Sequence, residues 1–527
     1  MHTSRRNLFK GSLIAAGAGL ASCITARSTA ADVASLPKQS YTNIVVGSGY
    51  GAAVAAYRLT KKGHRVLLLE MGQRWNQPSS DGKIFPSMLT PDERSVWLGH
   101  STSQPVKTIE GISLDQSVPY GAGILDFKSL GQMSVYRGIG YGGGSLVNGG
   151  ISPRPSRNVL SNVLPQIADN NFFRYYLPLA ERRLNLNSIN PNFFEETEWY
   201  QFSRTARDSA KRAGYDIANM PNFYDFSYME REAAGTVPKS ALANELIYGN
   251  NYGRKSLTHT YLSRAEQTGL LTVQTLTEVI SINALATGGF ELFCIERNKS
   301  GMTIGNMTFR AKKIFLGAGS VGTTEILLRS QENGGLTRLS PEVGKGWGTN
   351  GNITFGRTNP NNLPTGSNQS TIAVTGIDCR LSLGTYNEVA PLPLGFENYI
   401  SYYLSIAETS ERCEIKLVDG QPQVTWKVSQ ADEAIAKVRQ TFDRINDMEG
   451  TSYRTDLFGY EGKIFTNDWT YHPLGGAVFG KATNDKGGLK GHEGLVVVDG
   501  ALLPGSIGVN PLLTITALAE RIMDSNL

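Results

Sequence analysis

The segment NIVVGSGYGAAVAAYRLTKKGHRVLLLE, residues 43–70, constrains the fold more than any other stretch of this chain. An apolar run at Ile44–Val46 leads into Gly47-Ser48-Gly49-Tyr50-Gly51-Ala52. Small and apolar residues then recur with helical spacing until Gly63, and a second apolar run, Val66–Leu69, ends in Glu70. A G-x-G-x-x-G/A turn between strand and helix, with an acid closing the second strand, is the fingerprint of a dinucleotide-binding βαβ unit. Gly47 permits the tight turn, Gly49 lets backbone approach a pyrophosphate, and small residues at 51 and 52 allow close helix–strand packing. The helix start at Tyr50 offers N–H groups and partial positive charge to phosphates. Glu70 is placed to accept hydrogen bonds from an adenosine ribose.

A second glycine motif, Gly317-Ala-Gly319-Ser-Val-Gly322, also follows an apolar run. The helix after it leads into QENGGLTRLSPE, with neither a second strand nor a terminal acid. It reads as a sheet strand whose glycine turn packs against the first cofactor, not as a separate nicotinamide site. Near the C-terminus, Leu495–Val498 form a strand ending in Asp499-Gly500, and a helix runs from about Pro511 to Ile522. An acid–glycine strand end of this kind holds the ribityl chain of a flavin, and the positive end of the helix favours an anionic reduced ring. SVYRGIGYGGGSLVNGG (134–150) has seven glycines in its last thirteen positions. Glycine in regular structure costs about 0.5–1 kcal/mol relative to alanine. A flavin ring lying against bare backbone accounts for the cluster.

Of 527 residues, 40% are hydrophobic and 18% charged, a globular composition long enough for more than one domain. The net charge is +5, but residues 1–31 carry Arg5, Arg6, Lys10 and Arg27 and no acid, so four of those charges lie there. No basic stripe with interleaved aromatics is present, which argues against a nucleic-acid partner. The paired arginines precede a short apolar run, GSLIAAGAGLASC, and predict a twin-arginine export signal over residues 1–31. A periplasmic or secreted protein is expected. LASC (20–23) resembles a lipobox that would anchor a lipoprotein at Cys23; cleavage near Ala30–Ala31 is the alternative. The other cysteines, 294, 379 and 413, are too few and too scattered for a disulfide framework, and no metal-ligand spacing is present, so no metal is expected.

In this order the pieces resemble the glucose–methanol–choline (GMC) oxidoreductase family, and within it the sterol-oxidising members whose FAD is not covalently attached. The likeness runs from about residue 41 to the end. Its signatures include VVGSGYGAAVAAYRL, QMSVYRGIGYGGGSLVNGG, EVGKGWGTNGNI, NEVAPLPLG, YHPLGG and DGALLPGSIGVNPLLTITALAER. It implies an α/β fold, α+β overall: a Rossmann-like FAD-binding domain (41–79, 251–344 and 481–527) and a substrate domain with a lid (80–250 and 345–480). The substrate domain is expected on an antiparallel β-sheet with helices. FAD is implied as cofactor, held by Gly47, Gly49, Tyr50, Gly51, Glu70, Gly142, Gly143, Gly144, Asn148, Gly149, Asp499, Gly500 and Pro511. The implied partners are a 3β-hydroxysteroid such as cholesterol and O2, with peripheral contact to sterol-containing membranes; a monomer is expected.

The implied reaction oxidises the hydroxyl to a ketone, makes hydrogen peroxide, and moves the ring double bond from the 5-ene to the 4-en-3-one. His472 is implied at the substrate hydroxyl. Asn510 is implied facing flavin and hydroxyl. Glu388 is implied as the proton shuttle between C4 and C6, its pKa raised in a dry pocket. Which of Glu388 and His472 takes the hydroxyl proton stays open at this point. So does a second reading, a dehydrogenase that oxidises another hydrophobic secondary alcohol with an acceptor other than oxygen. FPSMLTPDERSVWLGH (85–100) reads as an entrance lid, with Met88, Leu89, Val96 and Trp97 facing lipid. Segments 398–408, CEIKLV and PQVTWKV read as one antiparallel sheet, crossed by a helix over 432–448. Ile151, Leu512 and Ala477 depart from the family pattern; these departures do not touch the three polar residues.

Overall fold

In a computed structural model, residues 38–360, 362–459 and 462–527 are described. The export-signal and Cys23 readings lie outside them. Val46 ends the strand Lys38–Val46, and the chain turns at Gly47 into the helix Tyr50–Lys61, then returns along the strand Val66–Leu69. The two strands pair in parallel, Asn43 opposite Val66 through Val46 opposite Leu69. This is the βαβ unit that the first motif predicts. Its helix is buried along Gly51–Ala56 because those side chains are small, and the C-terminal helix Leu512–Asn526 packs against it.

Around that unit a seven-stranded mixed sheet assembles from distant parts of the chain, in the order 271–274, 66–69, 38–46, 303–316, 290–297, 277–284. The long strand Thr303–Leu316 pairs with Lys38–Val46 along one edge. On its other edge, the antiparallel strand Phe290–Arg297 covers residues 303–311, and the parallel strand Leu495–Val497 covers 314–316. Three glycine or acid turns therefore leave the sheet side by side, at Gly47, Gly317 and Asp499. Gly317 belongs to the first nucleotide turn: a Cβ there would lie 2.6 Å from the Cβ of Ala52.

A second sheet has five antiparallel strands, in the order 352–358, 400–407, 385–390, 375–379, 217–219. Period-two alternation gives it two different faces. One carries Ile353, Phe355, Val389 and Tyr403 into a core with helices Gln201–Arg212 and Asp432–Glu449. There Phe355 and Tyr403 stack at 5.3 Å, and Phe442 meets both rings at about 4.5 Å. The opposite face carries Asn352, Thr354, Glu388, Tyr402 and Leu404. The helix matches the one expected over 432–448. The single sheet expected from 398–408, CEIKLV and PQVTWKV is corrected: Cys413–Val418 and Gln421–Val424 form a hairpin that joins Lys345–Trp347 in a separate three-stranded sheet. Asp419 (φ 51°) and Gly420 (φ 70°) make its two-residue turn, which folds the chain back on itself before it can reach the larger sheet.

The 85–100 segment is also corrected in part. Trp97 is buried with Ala122 and Ile139, because bridges to Ala122 and Leu125 draw the segment inward. Leu89 is exposed, and Met88 packs beside Phe85 and Ile124.

Candidate active site

The glycine-rich stretch begins as the strand Ser134–Gly138, which runs parallel to Trp469–Thr470. Beyond Gly138 the chain turns through Gly140, Gly142 and Gly143, all at positive φ, into a short 3-10 turn. The pairing brings this turn beside His472, and the turn itself seats on the nucleotide motif: a Cβ on Gly143 would lie 2.8 Å from the Cα of Gly49. Gly51 has no room either, since its Cβ would lie 1.7 Å from the carbonyl oxygen of Val498. At Gly49 and Gly144, by contrast, a Cβ would project into open space. Two backbone turns thus touch at one point, with room for added atoms beside Gly49 and Gly144, which fits a dinucleotide ligand approaching bare main chain.

Polar side chains stitch the two turns together. The Ser48 hydroxyl bonds Glu70 Oε2 at 2.5 Å and accepts from the amide of Gly142 at 2.9 Å. The amide of Gly72 donates to Glu70 Oε1 at 2.9 Å. Burial dominates and pushes the Glu70 carboxyl up to about 7, against these hydrogen bonds. Asn148 donates from Nδ2 to the hydroxyl of Tyr50 at 2.8 Å and accepts from the amide of Gly150 at 3.1 Å. The Gly149 carbonyl accepts from Asn222 Nδ2 at 2.7 Å. Asp499 is committed to protein partners. Its Oδ2 accepts from the amide of Gly319 at 2.8 Å and Thr323 Oγ1 at 2.5 Å, and Oδ1 accepts from the amide of Ala501 at 2.9 Å. Its carboxylate ties the second glycine motif to the strand end; what remains free there for a ligand is backbone. The Gly500 carbonyl accepts from the amide of Gly475 at 3.0 Å, and Pro511 immediately precedes the C-terminal helix.

His472 arrives on the segment after Thr470. Leu474 and Gly348 exchange both backbone hydrogen bonds at 2.9 Å, which sets His472 against Asn352 at the start of the five-stranded sheet. The Thr470 hydroxyl accepts from the amide of His472 (3.1 Å) and donates to Asn352 Oδ1 (2.7 Å). That fixes the amide, so Asn352 Nδ2 faces His472 Nδ1 at 3.0 Å and donates to it. The ring proton therefore sits on Nε2. Burial pushes the imidazole down to about 3, so it is neutral. Such a histidine is a hydrogen-bond donor, not a base.

Glu388 stands on the same sheet face as Asn352, with the strand Ile400–Ala407 between them: Glu388 pairs Leu404, and Asn352 pairs Ile406. It is 1% exposed, and a hydrogen bond from the Asn510 side chain reaches it. Burial pushes its carboxyl up to about 8, the Asn510 bond opposing the rise. Glu388 Oε1 and Asn510 Oδ1 are buried without a partner, as is the hydroxyl of Tyr471, whose ionisation the Glu388 charge opposes. Unpaired buried polar atoms in one place mark the seat of a polar ligand. The structure thus places Asn510 beside Glu388 and His472 beside Asn352, with Glu388 and Asn352 on one sheet face. It adds four without assigned roles in the sequence reading: Ser48, Asn352, Thr470 and Tyr471. Ser48 lies inside the glycine motif and Asn352 inside GTNGNI, but their contacts are long-range. Ile151, Leu512 and Ala477 are buried in the principal core.

The C-terminal helix, whose start follows Asn510, is pinned further along. Glu520 is fully buried and accepts from Arg58 at 2.5 Å, from Tyr261 Oη at 2.8 Å and from Arg183.

Residues 350–459 match the family model for GMC oxidoreductase, C-terminal, and residues 409–519 that for GMC oxidoreductase. Residues 45–75 match the NAD(P)-binding Rossmann-like domain. Residues 350–519 are thus similar to GMC oxidoreductases, and residues 45–75 to a Rossmann-like dinucleotide-binding domain. The chain is 22% identical to a cholesterol oxidase of Acinetobacter baumannii over 566 residues, covering 92% of this chain and 94% of that protein. It is 23% identical to a cholesterol oxidase of Mycobacterium tuberculosis (strain ATCC 25618 / H37Rv) over 570 residues, covering 92% and 90%. Among solved structures it is similar to a fungal aryl-alcohol oxidase (TM-score 0.61, 13% identity, covering 92% and 98%). It is also similar to pyridoxine 4-oxidase from Mesorbium loti (TM-score 0.58, 12% identity, covering 92% and 99%).

Proposed function

We propose that this chain is an FAD-dependent oxidase of 3β-hydroxysteroids, of the cholesterol oxidase type, that also isomerises the 5-ene product to the 4-en-3-one. The observation that carries the reading is the pairing of buried polar groups at one sheet face: His472 held by Asn352 through Nδ1, and on the same face as Asn352 the buried Glu388 carboxyl, whose Oε1 has no partner among the described residues. A bound flavin would supply the two-electron acceptor for the carbinol hydride, with oxygen as the final acceptor. The chain supplies the rest. His472 Nε2–H donates to the substrate oxygen and orients the carbinol carbon. With imidazole as donor, Glu388 is the group that accepts the hydroxyl proton, directly or through one water. Asn510 stands beside the carboxyl and favours its ionised form. After oxidation the ketone oxygen stays on His472, which favours a dienolate. Glu388 passes the hydroxyl proton on, to end in hydrogen peroxide, and the regenerated carboxylate then removes a proton from C4 and returns it at C6, moving the double bond with no change in oxidation state. Proton transfer by a positioned group contributes about 10²–10⁴-fold.

The test is to purify the chain, look for flavin absorbance, add cholesterol, and follow peroxide and the conjugated enone. Bleaching with peroxide and enone is expected. Bleaching in air without peroxide identifies the dehydrogenase reading instead. Absence of bleaching with any sterol overturns the substrate assignment.

A further inference from the structure

Gly253 (φ 74°) turns the chain so tightly that a Cβ there would lie 2.4 Å from the hydroxyl of Tyr224, and the next residue, Arg254, is driven inward. Arg254 is 6% exposed. Its Nε donates to Asn250 Oδ1 at 2.8 Å and one terminal nitrogen to the carbonyl of Ser145 at 2.9 Å; both acceptors are neutral. The other terminal nitrogen is buried and has no hydrogen-bond partner among the described residues. The two neighbouring buried acids do not reach it. Glu232 is held by Tyr224 and the amides of Ser240 and Leu242, and Glu245 by Ser240, Asn251 and Lys83. Burial lowers the Arg254 pKa only to about 10, so the side chain stays charged at neutral pH. A buried cation without a counter-charge is costly.

Its location says what completes it. Ser145, whose carbonyl accepts from Arg254, belongs to the 3-10 turn of the glycine-rich stretch, and that turn seats on Gly49 of the first nucleotide turn, next to Tyr50, within electrostatic range of Arg254. The cation therefore stands where the two backbone turns meet. We propose that Arg254 is the buried counter-charge for the negative charge of the bound flavin dinucleotide. This rests on the flavin reading above. The anionic oxygens are those of the diphosphate or of the reduced ring, and the experiment separates them.

Full-length wild type, R254M and R254K are titrated with FAD, following quenching of its fluorescence, and the melting temperature is recorded with and without added FAD. A charge-assisted bond contributes about 1.5–3 kcal/mol, so R254M is expected to weaken FAD binding about 10–100-fold, with R254K restoring most of it. The rise in melting temperature on adding FAD shrinks in R254M alone. Weakened binding of oxidised FAD assigns the diphosphate; unchanged binding with a lowered flavin midpoint potential assigns the reduced ring. Unchanged binding and potential in R254M overturn the proposal. So does equal loss in R254M and R254K with melting lowered alike with and without FAD, which marks Arg254 as a structural prop. Failure of wild type to bind FAD overturns instead the flavin reading on which both proposals stand.

Discussion

Asn352 Nδ2 donates to His472 Nδ1 at 3.0 Å, and this one bond decides that the imidazole presents a proton, not a lone pair, to whatever lies beyond Nε2. Asn352→Leu keeps the side-chain volume and removes the donor. We expect kcat to fall about 10–10²-fold with KM changed far less, because tautomer and ring orientation matter most in the transition state. Steady-state kinetics on a soluble sterol analogue measure this split. Equal loss in both constants would mean that Asn352 only shapes the pocket.

Glu388→Gln removes the group assigned to both proton transfers. The amide keeps the shape but can accept neither the hydroxyl proton nor the C4 proton, so sterol oxidation and, with the 5-en-3-one supplied as substrate, double-bond migration are each expected to drop about 10²–10⁴-fold. The wild-type carboxyl titrates at about 8. Because the carboxylate is the active form, migration should rise with pH through about 8 and level off above it. That limb should vanish in the variant. Chromatography of the two ketones across the pH range checks both statements.

Two glycines should respond in opposite ways. Gly51→Ala places a methyl 1.7 Å from the Val498 carbonyl and should cost at least about 3 kcal/mol, leaving little folded protein. Gly144→Ala points its methyl into open space. Stability should change by less than about 1 kcal/mol while cofactor retention falls. Denaturant unfolding and flavin content after gel filtration distinguish the two.

Glu520→Gln leaves Arg58 and Arg183 without their buried carboxylate. A loss of about 1–3 kcal/mol is expected in denaturant unfolding, since partly buried Arg183 loses its carboxylate while Arg58 keeps Asp524. A change under about 1 kcal/mol would show that the arginines re-solvate freely.

The βαβ unit was legible because hydrophobic period, turn glycines and a terminal acid all fall within one short stretch and agree. The helix at 432–449 was legible from periodicity alone. The hairpin at 413–424 was misplaced because an alternating strand does not name its partner; the Asp419-Gly420 turn does, and it was the local signal available. Glu388, His472 and Asn510 were nameable through motif resemblance. Asn352 carries no comparable mark: its partner His472 is 120 positions away, and asparagine in a glycine-rich loop reads as a turn former. Ser48 was hidden in the same way, as the variable letter of a glycine motif. Arg254 reads as one basic residue among many until its depth and missing partner are seen.

The carbonyl of Val498 forms the ceiling over Gly51, and the strand that carries it joins the sheet more than 400 positions after the turn it covers. A nascent chain on the ribosome therefore holds an unfinished nucleotide pocket until that strand has emerged from the exit tunnel. Closure of so distant a contact is slow. Cofactor capture must be among the last events of maturation, and chains halted before residue 495 should be caught by chaperones or proteases without flavin.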